Sequence, residues 1–444
     1  MQVLIYTPSI NPRVEYIFST LFNAIGVQKF QLTQDVSLYN NSSGFKINYS
    51  SSFVDENILW IEPVNLLFER EIKEQKIDFF KWNETKAFFK TVNGDLPFDI
   101  FAASFYLITR YEEYLPHKLD MYGRYAHENS VSFKEDFLKL PLVNLWLQQF
   151  SKELIKKFPS LHLTPQIFHF LPTYDIDIAW SYLHKGWLRN AGGLIRSMMD
   201  GDWARINERV NVLLGKQKDP FDSYRWLDQL HEQHQIKPIY FFLLAQQNKA
   251  YDKNILPKKK SLQKLIQQHG SKYDVGIHPS WQSGDKPELL KEEIEILEKI
   301  IISKVNKSRQ HYIRMTLPDT YRRLSACGIT EDYSMGYGSI NGFRASYCLP
   351  YKWYNLQKEE ITSLAIYPFC FMDANSYYEQ HYTSKEALNE MEHYYKITKE
   401  VNGLLITIWH NHFLGTDKMF EGWKEYRTTI DRISKDQDET QNHD

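Results

Sequence analysis

Cysteine is scarce in this chain. Three thiols, Cys327, Cys348 and Cys370, stand among 444 residues, an odd number with no metal-ligand spacing. That excludes a disulfide framework and fits a reducing compartment. No run of about 18 apolar residues exists, so no membrane span is expected. The start, Met-Gln-Val-Leu-Ile-Tyr-Thr-Pro, lacks a basic segment followed by an apolar stretch. No export signal is therefore expected, and a cytoplasmic location is. A net charge of −2 gives no electrostatic case for nucleic acid. There is no Gly-x-x-x-x-Gly-Lys phosphate loop and no serine in a nucleophile elbow. The glycines at 336, 338 and 342 miss dinucleotide spacing by one residue. No internal repeat is visible.

What is present is aromatic and apolar: 29 Tyr, 27 Phe and 11 Trp in a chain that is 43% hydrophobic. Such rings suit either sugar stacking or an aromatic core. The length suits two domains. In the front part, spacing predicts a strand at 2–7, a helix at 11–25, short strands at 45–49 and 57–62, and helices at 95–115 and 142–158. The helix at 95–115 ends in Arg110-Tyr-Glu-Glu-Tyr, polar groups that fit a charged face at a domain interface. Pro159–Pro165 reads as a linker, giving an α/β domain over 1–160 and a second over 166–430. The second alternates strands (167–174, 237–245, 273–278, 309–314, 328–333, 363–371, 404–410) with helices, the pattern of βα units on a parallel sheet. Residues 431–444, highly polar, are expected to be a disordered tail.

Three of these strands end in chemistry. Leu-Pro-Thr-Tyr-Asp175-Ile-Asp177 puts two carboxylates on one face, about 7 Å apart at Cα. Asp-Val-Gly-Ile-His278-Pro-Ser and Leu-Ile-Thr-Ile-Trp-His410-Asn-His412 end in imidazoles. Singly, each fits a cap, a strand end or a core histidine. Together they fall where α/β enzymes carry their active sites. Arg344, in Gly-Phe-Arg-Ala, could keep a neighbouring carboxylate ionised or serve a surface ion pair. Arg309 and His311 alternate on one face of the expected strand 309–314, and Asp332 and Asp373 end two further segments.

These motifs, in this order, resemble those of the polysaccharide deacetylases (NodB homology, carbohydrate esterase family 4). Leu-Pro-Phe-Asp99-Ile-Phe-Ala-Ala and Arg110-Tyr-Glu-Glu-Tyr are similar to the two-domain bacterial branch, whose front domain has no assigned function. The resemblance implies a distorted (β/α) barrel with an additional N-terminal α/β domain. It also implies a divalent metal, zinc or else cobalt or nickel, and hydrolysis of acetyl groups from N-acetylated sugars or polysaccharide precursors. Asp175 matches the general base, Asp177 the metal aspartate, His278 the first metal histidine, Arg344 the tether of the base and His410 the general acid. Two departures stand out: Ile176 separates the aspartates, and Gln282 replaces the second metal histidine. Catalytic zinc ordinarily has three protein ligands, and His311 is the candidate third. Trp281, Tyr347 and Trp409 are candidates to line a sugar site, with core packing as the alternative. With Gln282 in the ligand position, a degenerate barrel that binds a glycan or sugar nucleotide without cleaving it is the rival, and a scaffold whose front domain docks a partner is the third. Oligomeric state, the glycan and the front domain's task are not readable.

Overall fold

The computed structural model describes residues 2–52, 55–249 and 251–441. The front part carries a parallel sheet of order β2-β1-β3-β4, built from β1 (Val3–Tyr6), β2 (Phe30–Thr33), β3 (Phe45–Asn48) and β4 (Leu59–Trp60). A small antiparallel pair follows, β5 (Phe80–Trp82) with β6 (Thr85–Ala87). The helix Pro12–Ala24 starts where Asn11 Oδ1 accepts the amides of Arg13 and Val14, with Pro12 in the first turn. Asp99 caps the helix Ile100–Ile108 in the same way. That helix is shorter than the pattern 95–115 predicts. Arg110 turns left-handed at φ 54°, and Tyr111–Tyr114 continue as a 3₁₀ turn.

The back part is one nine-stranded sheet of order β12-β13-β11-β10-β9-β8-β7-β15-β14. Its strands are β7 (His169–Ile176), β8 (Ile239–Leu243), β9 (Asp274–His278), β10 (Lys307–Ser308), β11 (Glu331–Asp332), β12 (Tyr351–Asn355), β13 (Glu360–Ile366), β14 (Phe371–Met372) and β15 (Leu404–His410). All neighbours are parallel except β12 with β13. The expected barrel is not closed: among the described residues the end strands β12 and β14 do not pair with each other. The expected strand 309–314 is absent as well. β10 stops at Ser308, and His311–Ile313 form a 3₁₀ turn with Tyr312 at φ 59° and Ile313 at φ 53°.

Front and back share a core. One apolar cluster runs from Val3 on β1 through Tyr174 and Trp409 to Ile433. Arg13, 1% exposed, reaches from the first helix to Glu359 in the back part at 2.5 Å. Residues 161–168 between the two parts have no regular structure. The tail departs from expectation: Tyr426–Gln441 is a helix, with Ile430 and Ile433 buried and Asp436 2.8 Å from Lys399. Its amphipathic first turns outweigh the polar composition that predicted disorder. Residues 442–444 lie outside the described residues.

Candidate metal centre

Strand register builds the site. β15 pairs β7 in parallel, with His410 opposite Asp175, and β9 ends at His278 two strands away across β8. The C-terminal ends of β7, β9 and β15 therefore open onto one cavity of about 330 Å³, whose walls include Asp175, Asp177, His278, His311 and His410. Asp177 stands at the centre. Its Oδ1 is 3.1 Å from His278 Nε2, and its Oδ2 is 3.4 Å from His311 Nε2 and 3.3 Å from His410 Nε2. Among the described residues, Asp177, His278 and His311 form the one group of three such side chains whose donor atoms all lie within 4.8 Å of one another.

The histidines are held in fixed tautomers. His278 Nδ1 is 2.7 Å from the carbonyl oxygen of Arg309, so it must carry the proton there. His311 Nδ1 is 3.1 Å from Asp252 Oδ1, a carboxylate that favours the same arrangement. Both Nε2 atoms are left to face Asp177, and an Nδ1 so committed is the usual support of a metal-binding histidine. Asp177 Oδ1 is buried with no hydrogen-bond partner. One carboxylate with an imidazole at each oxygen, His278 at Oδ1 and His311 at Oδ2, is a donor set that fits a divalent cation.

Without an ion the carboxylates draw protons onto the imidazoles. Burial raises the Asp177 carboxyl, but His311 and His278 outweigh it and hold the group well below the usual carboxylate range. His311 is disfavoured as a cation by burial, yet Asp177 and Asp252 lift it to about 9. His410 is likewise raised well above the ordinary imidazole value, against its burial, by Asp373 and Asp177. Asp373 accepts both His410 Nδ1 at 2.6 Å and the His410 amide at 2.7 Å.

Several sequence expectations change. Arg344 does not reach Asp175. Its guanidinium forks onto Glu113 at 2.8 and 2.6 Å, and Glu113 also accepts Arg110 at 2.7 Å. The cation on Asp175 is Arg309, which donates to Asp175 Oδ1 at 3.0 Å and to Thr173 Oγ1 at 2.7 Å. Gln282 takes no place among the donors; its amide donates to Asp252 at 2.9 Å. Tyr347 and Trp409 are buried at 1% and 0% exposure, outside the cavity wall. Trp409 packs on Tyr426 at 4.2 Å, because strand alternation turns it away from the face that carries His410. Trp281 lies behind the wall, packed at a tilt on Tyr251 at 4.3 Å and covered by Arg314 at 4.2 Å.

The rings that do line the cavity are Tyr122, Tyr251, Tyr312 and Tyr378. Tyr122 comes from the front part, as does Arg124. Arg124 is held by Asp120 at 2.6 Å and donates to the carbonyl of Tyr312 at 2.7 Å. That contact grips the left-handed turn carrying His311. It also requires glycine at 338, where a Cβ would sit 2.1 Å from Arg124 Nη1. Asp252 lies nine residues past the end of β8, in the loop that leads to the helix Lys260–Gly270. Nothing local in the sequence marks Arg124.

Residues 3–159 match the model of a family of unknown function, DUF7033. No curated protein matches. Among solved structures the chain is similar to polysaccharide deacetylases assigned in Mycobacterium smegmatis (11% identity, 61% of this chain and 84% of that chain, TM-score 0.38) and Pseudomonas aeruginosa PAO1 (10%, 60%, 84%, 0.38). It is also similar to a polysaccharide deacetylase of Bacillus cereus (11%, 61%, 88%, 0.30). At that identity and overlap the likeness bears on neither substrate nor mechanism.

Proposed function

We propose that this protein is a metal-dependent hydrolase that removes acetyl groups from N-acetylated sugars or polysaccharide precursors. The observation that carries the reading is the convergence on one cavity of the Asp177 carboxylate and two imidazoles, His278 at its Oδ1 and His311 at its Oδ2, whose Nδ1 atoms are already committed. A divalent cation held by Asp177, His278 and His311, zinc or else cobalt or nickel, would polarise the acetyl carbonyl and acidify water.

The rest is the work of side chains. Asp175, fixed by Arg309 and 2% exposed, takes the proton of the attacking water as general base. His410 sits on the opposite strand of the same register pair, charged by Asp373, and gives its proton to the departing amine. Water and amide become acetate and amine, and each residue ends in the state from which the other can reset it. The tyrosines of the cavity wall offer ring faces to the C–H face of a pyranose.

The test is elemental analysis of purified protein together with acetate release from N-acetylated oligosaccharides. We expect near-stoichiometric metal, activity lost on chelation and restored by zinc or cobalt. Metal-free protein that binds oligosaccharide but releases no acetate after metal addition would overturn the hydrolase in favour of a binding protein.

A further inference from the structure

Between Asp177 and the helix that precedes β8 the chain makes an excursion of two helices, Trp187–Met199 and Trp203–Leu213. One side chain in each is buried, Ser197 and Val212. Both helices are amphipathic: Leu188, Ile195 and Met199 recur along the first, Trp203, Val210 and Leu214 at and beyond the second. These apolar residues are left in water. Trp187 is 77% exposed, Met199 82% and Trp203 70%. The stripes flank a groove of about 530 Å³ walled by Trp187, Ala191, Leu194, Val210 and Leu213. Helices of 13 and 11 residues are marginal without a covered face, so this pair is built to be covered.

Charge identifies the cover. Residues 185–222 hold seven Lys and Arg against five acidic residues, Asp200, Asp202, Glu208, Asp219 and Asp222, the last 3.6 Å from Lys218, a positive balance in a chain whose net charge is −2. The first three also have partners: Arg196, Arg205 and the Tyr182 hydroxyl. A second copy meeting the same surface would set this basic excess against itself. An anionic bilayer is attracted to it, and tryptophan with methionine and leucine is the composition that enters the headgroup boundary. No helix among the described residues is long and apolar enough to cross a membrane, so the contact is peripheral.

We infer that the 187–214 helical hairpin docks this protein on an anionic lipid surface. The hairpin stands at the cleft mouth. Its first helix donates from Arg189 to the carbonyl of Lys253 at 3.1 Å, and Lys253 lines the catalytic cavity. Where the proposed hydrolysis holds, this seating favours N-acetyl sugars carried on lipid; vesicle binding is read without turnover, so the two stand or fall separately.

The experiment is co-sedimentation of the full chain, at low salt, with vesicles of phosphatidylcholine and phosphatidylglycerol or of phosphatidylcholine alone. We expect binding to the mixed vesicles with a blue shift of tryptophan emission. Binding should drop at least about tenfold on phosphatidylcholine alone and in Trp187→Ser/Met199→Ser/Trp203→Ser. These positions are exposed, so circular dichroism should not change. Arg196→Glu/Arg205→Glu tests the charge by itself and should also weaken binding. No vesicle binding, or equal binding by both variants, overturns the inference. So does light scattering that shows a dimer dispersed by the triple substitution, which would assign the face to a second copy.

Discussion

Two groups of charged side chains are withdrawn from water in this molecule, one around Asp177 and one around Glu113. In the second, carboxylates and guanidinium groups meet directly, although Glu112 Oε1, like Asp177 Oδ1, makes an ion pair and no hydrogen bond. Glu113 accepts two guanidinium groups, Arg344 and Arg110, while Arg110 also meets Glu112 at 2.8 Å and Tyr337 at 3.1 Å. None of these side chains is in the wall of the cavity around Asp177. In the first, three imidazoles ring one carboxylate, His278 at Oδ1 and His311 and His410 at Oδ2, and the group opens onto a cavity. The difference teaches that burial and charge alone do not mark a reactive site. Carboxylates matched to guanidinium groups fasten two parts of a fold, and a carboxylate ringed by imidazoles at a cavity can hold an ion. Arg344 and Asp177 belong to motifs of similar appearance, yet they fall on opposite sides of that distinction.

Four substitutions would break or sharpen the contrast. The largest effect is expected around Asp177. Asp177→Ala should abolish metal binding and lower acetate release by about 10⁴-fold or more, with little loss in the urea midpoint. A retained metal stoichiometry would count against the centre. Around Glu113 the signs reverse. Arg344→Ala leaves the buried Glu113 with Arg110 alone and should cost about 3 kcal/mol in urea unfolding, while bound metal per folded molecule stays unchanged.

Acid should find the same cluster. Burial pushes the Glu113 carboxyl up, but Arg344 and Arg110 pull it down to about 2 from an ordinary 4.5. A depressed carboxyl contributes stability above pH 4.5 and loses it as pH falls through about 2. Glu113→Gln should therefore flatten the unfolding free energy between these limits by about 3 kcal/mol. An unchanged slope would deny Glu113 its part. The smallest change is Asp252→Asn. It leaves every donor in place but loosens His311, and should weaken metal affinity about 10- to 100-fold by competition with a chelating dye.

Much of this was legible. The strands expected at 273–278 and 404–410 are present as Asp274–His278 and Leu404–His410. Asp175, Asp177, His278, His311 and His410 are all brought to one cavity. The misses have physical causes. β15 is buried on both faces, so composition could not say whether Trp409 or its neighbour His410 faced the cavity. Charge spacing could not reveal that Arg344 finds a partner 231 residues earlier while Arg309 takes Asp175. Nor does an alternating stretch announce that it will leave the sheet after two residues, as it does at Arg309–Arg314. The turn there is held from outside, by contacts that only the assembled fold supplies.

That outside hold has a practical consequence. A segment matched only to a family without an assigned task supplies, through Arg124, the brace on which the third ion-gripping imidazole leans. A chain trimmed to its back part would keep every donor atom and still close its grip badly.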